Sequence, residues 1–263
     1  MRLGIFGGTF DPVHIGHLLL AECCREQCGL DAVWFLPAAV PPHKQERELT
    51  PAKQRIEMLE LAIAGNPAFS VCCYETDRGG VNFTFETLEH FHAECVKGDS
   101  PIFVDMKMGT VPVEKSGREM FFLMGADMFL DLPHWRNPAR VCELAVPGVV
   151  RRPGCGQIDF GCLSGIASAE QIELFRRNQV EMPEIGISSS DIRHRVSLGQ
   201  SIRYIVPRAV EMYIKTHEMY RPCKDLAAIE ALEDQQDIEA ADAALVESDE
   251  RIPYENVRHE LDL

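Results

Sequence analysis

Short apolar runs and stretches of helical periodicity alternate along most of the chain. The runs that predict buried strands are 3–6, 32–36, 69–74, 102–104, 120–124 and 144–150, and segment 180–185 leads to the helix start at 187–193. Apolar spacing and capping residues predict helices over 15–28, 51–64, 84–91 and 207–217, and further helix starts at 168–171 and 187–193. This alternation predicts an α/β fold with one doubly wound, mostly parallel sheet, whose ligand site lies at the carboxyl ends of the strands.

The last part of the chain differs from the rest in charge. Segment 222–263 contains 13 acidic and 3 basic residues, so it carries −10 of the net charge of −15. A loose apolar stripe within it predicts an acidic, mostly helical extension. We therefore expect a domain over 1–221 and a separate tail over 222–263. The tail weakly resembles the C-terminal region of some small antitoxins, which would make it a segment that binds a protein partner; a solvated extension or a helix packed on its own domain is the alternative.

Composition narrows the class of protein. No apolar run approaches the roughly 20 residues of a membrane span, and the chain enters a strand without a leader, so we expect a cytoplasmic protein with no membrane partner. The ten cysteines include no CxxC pair, which favours free thiols over a disulfide framework or a zinc site. Because the net charge is negative, we expect no nucleic-acid partner, and a polyphosphate would have to meet local cations.

The segment 3–18, with the sequence LGIFGGTFDPVHIGHL, contains the strongest candidate site. Gly7, Gly8 and Thr9 follow the first predicted strand, where backbone N–H groups can approach an anion because glycine has no Cβ. His14 and His17 are three residues apart at the start of the next helix, which places both imidazoles on one face of its first turn. Free N–H groups and the helix dipole favour phosphate there, so we predict a nucleotide phosphate site.

Other polar residues stand where strands end or helices begin. Lys44 ends a loop that contains three prolines, and Thr84 opens a predicted helix. Asp127 follows an apolar strand that ends at Gly125, a position suited to the hydroxyls of a ribose. Trp135 lies in a proline-containing loop, which makes it a candidate to stack on a flat ring or to seal the edge of the core. A run of three serines precedes Arg193, and we interpret this helix start as a further anion site.

The sequence His14-Ile15-Gly16-His17 matches the HxGH signature of the nucleotidyltransferase superfamily. Class I aminoacyl-tRNA synthetases share it, but their lysine-rich second loop and anticodon-binding domain have no counterpart in 263 residues. Over about 1–220 the chain resembles bacterial nicotinate-nucleotide adenylyltransferases. The resemblance rests on GGTFDPVHIGHL, FLPAAVPPHK, TFETL, FLMGADMFLDLPHW, RRPG and ISSSDIR.

This resemblance implies a Rossmann-like nucleotidyltransferase fold and adenylyl transfer from ATP, accompanied by Mg²⁺, to nicotinate mononucleotide, with no metal site built by the protein itself. The catalytic residues it implies are His14, His17, Lys44 and Arg193. Those implied to bind ATP are Gly7, Gly8, Thr9, Phe10, Gly125, Asp127, Arg152, Ile187, Ser188, Ser189 and Ser190. Those implied to bind the nicotinate nucleotide are Thr84, Trp135 and Arg136.

The sequence departs from the family pattern at three places. Asn82-Phe83 stands where the family usually has Ser-Tyr, Ser190 stands in place of threonine, and the polar segment 105–118, predicted as a surface loop or hairpin, is longer than usual. Another phosphate acceptor, such as phosphopantetheine or, with CTP, glycerol phosphate, remains an alternative, as does a catalytically silent nucleotide-binding scaffold. The preference between acid and amide mononucleotide and the oligomeric state, including a homo-oligomer, stay open.

Overall fold

The computed structural model describes residues 1–39, 49–97, 119–151 and 157–221, with side chains described only as far as residue 94 in the second range. Several sequence predictions lie outside the described residues: Lys44, Arg152, the strand at 102–104, the loop at 105–118 and the tail at 222–263.

The described residues form a six-stranded sheet in the order β3-β2-β1-β4-β5-β6, and every neighbouring pair is parallel. The strands are β1 (Arg2–Gly8), β2 (Ala32–Pro37), β3 (Phe69–Val71), β4 (Glu119–Gly125), β5 (Val146–Arg151) and β6 (Val180–Glu181). Strands β2 and β3 follow β1 on one side of it, and β4, β5 and β6 follow on its other side. The predicted doubly wound parallel fold is confirmed, and the point where the strand order reverses lies between β1 and β4.

Helices connect these strands. In chain order they are α1 (Ile15–Gln27), α2 (Ala52–Ile63), α3 (Tyr74–Arg78), α4 (Thr84–Lys97), α5 (Ala126–Asp131), α6 (Pro138–Leu144), α7 (Ala169–Arg177), α8 (Ser189–Ser197) and α9 (Arg208–Thr216). Short 3₁₀ turns occur at Leu132–His134 and Phe160–Leu163. The predicted capping box at the start of α7 is present, with Ser168 Oγ accepting from the backbone N–H of Gln171. Among the described residues, no helix combines the length and apolarity that a membrane span requires.

The core explains why the strands read as continuous apolar runs. All six residues of β2 and the five central residues of β4 are buried. Strands of a parallel sheet are covered by helices on both faces, so successive side chains are apolar on both sides instead of alternating with polar ones. The compact unit of the described chain spans Met1–Met219. Within it, α9 contacts α2 through a hydrogen bond from the Tyr213 hydroxyl to the Glu57 carboxylate.

Strand ends at the edges of the sheet differ from the prediction. The run 69–74 forms a strand only to Val71, after which Tyr74 begins the short helix α3. Segment 180–185, to which the sequence analysis assigns no element, contributes the two-residue strand Val180–Glu181. Both are edge strands, which have a hydrogen-bonding partner on one side only, so apolar residues beyond the paired register leave the sheet. Leu144 ends helix α6 and does not belong to β5.

Candidate functional site

A cavity of about 720 Å³ opens at the carboxyl ends of β1, β2 and β4. This volume is typical of a site for a ligand of nucleotide size. Each of the three strands contributes lining residues at its end, among them Gly8, Leu36 and Gly125. The cavity lies at the point where the strand order of the sheet reverses, which is where open α/β sheets usually bind their ligands.

The two predicted histidines stack on each other beside this cavity. Their ring centroids are 3.7 Å apart with an interplanar angle of 23°. His14 is the residue before the first turn of α1, and its backbone N–H donates to Nδ1 of His17 at 3.3 Å. A Cβ at Gly16 would approach the His14 ring to 3.1 Å, so the glycine leaves room for the stacked pair. The prediction that both imidazoles share one face of the helix start is confirmed.

Both histidines are neutral at pH 7. Burial lowers the pKa of His14 to about 4. Burial also lowers the pKa of His17 well below its ordinary value, and the neighbouring His14 lowers it further. Since Nδ1 of His17 accepts a hydrogen bond, the proton of the neutral ring belongs on Nε2. His17 lines the cavity, whereas the buried His14 does not, so the pair offers a neutral N–H donor to a ligand through His17.

The glycine loop, which we define as Gly7 and Gly8 at the end of β1 with the residues that follow up to α1, depends on close packing. The prediction that the first strand stops before Gly7 is wrong, because β1 extends to Gly8. A Cβ on Gly8 would come within 2.9 Å of the Phe10 ring, which occupies the space below the loop. Phe10 has a φ of 48°, is 1% exposed and packs edge-on against Phe6 at 5.4 Å. Gly7, Gly8 and Thr9 line the cavity. Phe10 supports the loop with its side chain, so its predicted contact with ATP could come only from its backbone.

Helix α8 holds the same loop from another side. Arg193 donates through Nη1 to the backbone oxygen of Asp11 and through Nη2 to Ser190 Oγ at 2.9 Å. Ser189 Oγ donates to the backbone oxygen of Pro12 at 2.9 Å. Ser188 caps the helix, because its Oγ accepts from the backbone N–H of Asp191 at 3.1 Å. Arg193 therefore shares a face with Ser190, as predicted. Neither these residues nor Ile187 are among those that line the cavity.

The residues predicted to bind a pyridine ring also line the cavity. Thr84 is the first residue of α4, and Trp135 and Arg136 follow the turn after α5; all three line the cavity. The Arg136 guanidinium lies 4.4 Å from the centre of the Phe83 ring. Trp135 meets Phe122 edge to face at 6.0 Å. Asp127, exposed in the first turn of α5, lines the cavity with Gly125.

Comparison with known proteins agrees with this geometry. The model of the cytidylyltransferase-like family matches residues 5–195. A probable nicotinate-nucleotide adenylyltransferase of Thermomicrobium roseum is 41% identical over 220 residues, which is 84% of this chain and 92% of that protein. A protein of the same name from Thermus thermophilus is 39% identical over 221 residues, covering 84% of this chain and 100% of that one. The chain belongs to the nicotinate-nucleotide adenylyltransferase family.

A solved structure supports the fold. Plasmodium falciparum nicotinic acid mononucleotide adenylyltransferase, complexed with NaAD, has a TM-score of 0.57 at 15% identity and covers 83% of this chain and 97% of its own. At this level of identity the likeness concerns the fold alone. Membership of the adenylyltransferase family confirms the predicted class of enzyme, a nucleotidyltransferase.

Sequence reasoning missed a buried carboxyl group at the cavity. Glu75, in α3, lines the cavity and accepts a hydrogen bond from Thr87 Oγ1 at 2.9 Å. Burial raises the pKa of Glu75 to about 7. Asn82 packs beside it and donates to the backbone oxygens of Glu75 at 3.3 Å and Gly79 at 3.2 Å. The apolar pattern predicts a single strand over 69–74. It contains no signal that the chain instead forms the helix α3 and places Glu75 at the cavity.

No group of three or more histidine, cysteine, aspartate and glutamate side chains suited to hold a metal ion occurs in 1–39, 49–94, 119–151 or 157–221. The predicted free thiols are present at each cysteine whose side chain is described: Cys23, Cys24, Cys28, Cys72, Cys73, Cys142 and Cys162.

Proposed function

We propose that the protein transfers the adenylyl group of ATP to nicotinate mononucleotide, giving nicotinate adenine dinucleotide and pyrophosphate. One observation carries the proposal: the glycine loop and His17 line the same cavity as Thr84, Trp135 and Arg136. The first set of residues is suited to phosphates and the second to a flat ring, and the names of the relatives agree with this pair of ligands.

The reaction needs alignment and charge stabilisation more than acid–base chemistry. A phosphate oxygen of the mononucleotide attacks the α-phosphorus of ATP, the bond from this phosphorus to the bridging oxygen breaks, and pyrophosphate leaves with the electron pair. The attacking oxygen is already ionised near pH 7, so no general base is required. Nε2–H of His17 and backbone N–H groups of the glycine loop would stabilise the negative charge on the phosphoryl oxygens.

Cations complete the phosphate site in this proposal. Lys44 and Arg193 would neutralise the triphosphate, and Asp127 and Arg152 would lie near the adenosine, as the family resemblance implies. Mg²⁺ would enter as part of the ATP substrate, because this ion is commonly bound through substrate phosphates and retained water.

The acceptor, nicotinate mononucleotide, would be bound by Thr84, Trp135 and Arg136. Trp135 offers an aromatic face to the pyridine ring, and Thr84 offers a hydroxyl at the start of α4. Arg136, stacked on Phe83, offers a cation to the carboxylate that distinguishes nicotinate from nicotinamide. We therefore propose that the acid mononucleotide is preferred, although Asn82-Phe83 replaces the usual Ser-Tyr.

Pyrophosphate release by the purified protein tests the proposal. The assay combines MgATP in turn with nicotinate mononucleotide, nicotinamide mononucleotide and phosphopantetheine, and CTP with glycerol phosphate. Release with the acid mononucleotide and little with the amide is the expected result. Release only with another acceptor would replace the substrate, and ATP binding without any release would favour a nucleotide-binding scaffold.

A further inference from the structure

Arg55 is a buried arginine outside the cavity. It lies on the inner face of α2 with Met58 and Leu59, and only 1% of its surface is exposed. It is not among the residues that line the cavity. An arginine is rarely buried to this extent unless its guanidinium is fully engaged.

The guanidinium group joins three separate backbone segments. Nη1 donates to the backbone oxygen of Thr9 at 2.8 Å, and Nη2 donates to that of Ala38 at 2.9 Å. Nε donates to the backbone oxygen of Thr50 at 2.9 Å, immediately before α2. Arg55 therefore connects the loop after β1, the loop after β2 and the start of α2.

Two of these three acceptors belong to the cavity itself. Thr9 and Ala38 both line it, and the two loops also meet through a hydrogen bond from the Ala38 N–H to the Gly8 oxygen at 2.9 Å. A bond to the oxygen of Thr9 fixes the plane of the peptide that follows, and a bond to Ala38 fixes the distance between the loops. The guanidinium thus holds, from outside the cavity, two backbone positions that line it.

The chemistry of the side chain suits this task. Arginine carries five N–H donors in a planar fork, so one group can reach three carbonyls in different directions. Lysine has one ammonium on a flexible stem and cannot reproduce this geometry. Replacing Arg55 would leave three backbone oxygens to find new partners, and the two loops would lose their common anchor.

We propose that Arg55 is a positioning residue that holds the glycine loop and the loop after β2 in the arrangement that binds the phosphates of ATP. The inference rests on the proposed function for the identity of the ligand, but it does not depend on which acceptor the enzyme uses. Arg55 acts through the Thr9 and Ala38 backbone and does not itself touch the nucleotide.

The test compares Arg55→Lys, Arg55→Met and Arg55→Ala with Lys53→Met. Lys53 is on the same helix and its side chain is 86% exposed, so its loss removes a cation from α2 without touching the loops. For each variant we would measure the Kd of α,β-methylene ATP, the KM for ATP and for the mononucleotide, kcat and Tm. The Ala variant is also assayed with guanidinium at concentrations too low to denature the protein.

We expect the Arg55 variants to bind the ATP analogue about 10- to 100-fold more weakly, since small misplacements of a site cost factors of this order. KM for ATP should rise more than KM for the mononucleotide, and added guanidinium should restore part of the ATP affinity of Arg55→Ala. Lys53→Met should match the wild type.

A merely structural role predicts a different result. Arg55 variants with a lowered Tm but unchanged Kd and KM for ATP would overturn the inference. If the Met and Ala variants do not fold, the Lys variant decides the matter, because a folded Arg55→Lys protein with wild-type ATP affinity contradicts it. If the wild type binds the analogue but releases no pyrophosphate, the proposed reaction is overturned. The Kd values of the Arg55 variants for the analogue would still test the role of Arg55.

Discussion

Two sets of residues that line the cavity, which we call the histidine wall and the carboxyl wall, contain buried titratable side chains of opposite acid–base type. The histidine wall comprises Gly7, Gly8, Thr9 and His17, with the buried His14 stacked on His17; the carboxyl wall comprises Glu75, Asn82, Thr84 and Thr87. Burial lowers the pKa of both histidines and raises the pKa of Glu75, so bases and acid alike are driven toward their neutral forms. The difference between the walls is therefore one of hydrogen-bond donors and acceptors more than of fixed charge.

The two walls respond differently to an anionic ligand. Neutral imidazoles can donate to phosphate from Nε2 without a standing positive charge in the empty cavity. When a triphosphate enters, its negative charge raises the pKa of nearby histidines and favours a charged, stronger donor. Glu75 becomes less able to ionise, because an anionic ligand favours its protonated form. Substitutions in the two walls should therefore differ in their effects on activity and on the pH dependence of stability.

The largest expected effect is the loss of catalysis in His17→Ala. Removing one preorganised donor to the phosphoryl oxygens typically costs about 10² to 10³ in rate, and His17 has the ring that faces the cavity. We would measure kcat and kcat/KM for pyrophosphate release, with circular dichroism to verify the fold.

His92→Ala is the matched control, because this histidine is exposed on α4. It should retain wild-type turnover. If His17→Ala is folded and turns over at nearly the wild-type rate, the histidine wall is not the catalytic wall and the assignment fails.

The second effect concerns stability in acid. The pKa of His14 falls from an ordinary 6.5 to about 4 in the folded protein, so the unfolded state binds the proton first as the pH decreases. The stabilisation is complete above pH 6.5 and is lost between pH 6.5 and 4, with a total of about 3 kcal/mol from this group. The free energy of unfolding, measured with denaturant, should fall between pH 7 and pH 4 in both proteins. The decrease should be smaller in His14→Gln than in the wild type, by about this amount. An equal loss in the two proteins would mean that His14 is not buried neutral, and His92→Gln should behave as the wild type.

The carboxyl wall should show the opposite sign. The pKa of Glu75 rises from 4.5 to about 7, so the folded state retains the proton longer, and the contribution to stability is present below pH 4.5 and lost as the pH rises to 7 and above. Glu75→Gln keeps an acceptor for Thr87 and cannot ionise, so we expect it to be more stable than the wild type at pH 8 by about 3 kcal/mol. Unfolding free energies at pH 5 and pH 8 measure this. Exposed Glu184→Gln serves as the control. A Glu75→Gln protein that is less stable than the wild type at pH 8 would contradict the raised pKa.

The two walls also differ in how well the sequence predicts them. The histidine wall is local: a strand, two glycines and a histidine pair lie within 18 residues, so spacing alone predicts their common face. Arg55 and Glu75 depend on distant contacts. A charged residue on a helix is usually assigned to solvent, and only the three-dimensional arrangement shows that Arg55 has three carbonyls to bind. Phe10 likewise combines burial with a positive φ, which a phenylalanine at that position does not signal.

The smallest expected effect is that of removing the tail. The compact unit of the described chain ends at Met219, close after α9, in which Val210 and Ile214 are buried. A chain ended at Arg221 keeps that helix and both walls, so its kcat and KM should equal those of the full chain. A chain ended at Val206 is the contrast, because it removes α9 and its buried residues and should lose the fold. If removing 222–263 abolishes pyrophosphate release while circular dichroism stays unchanged, the tail contributes to the site. Residues outside the two walls would then be needed for activity.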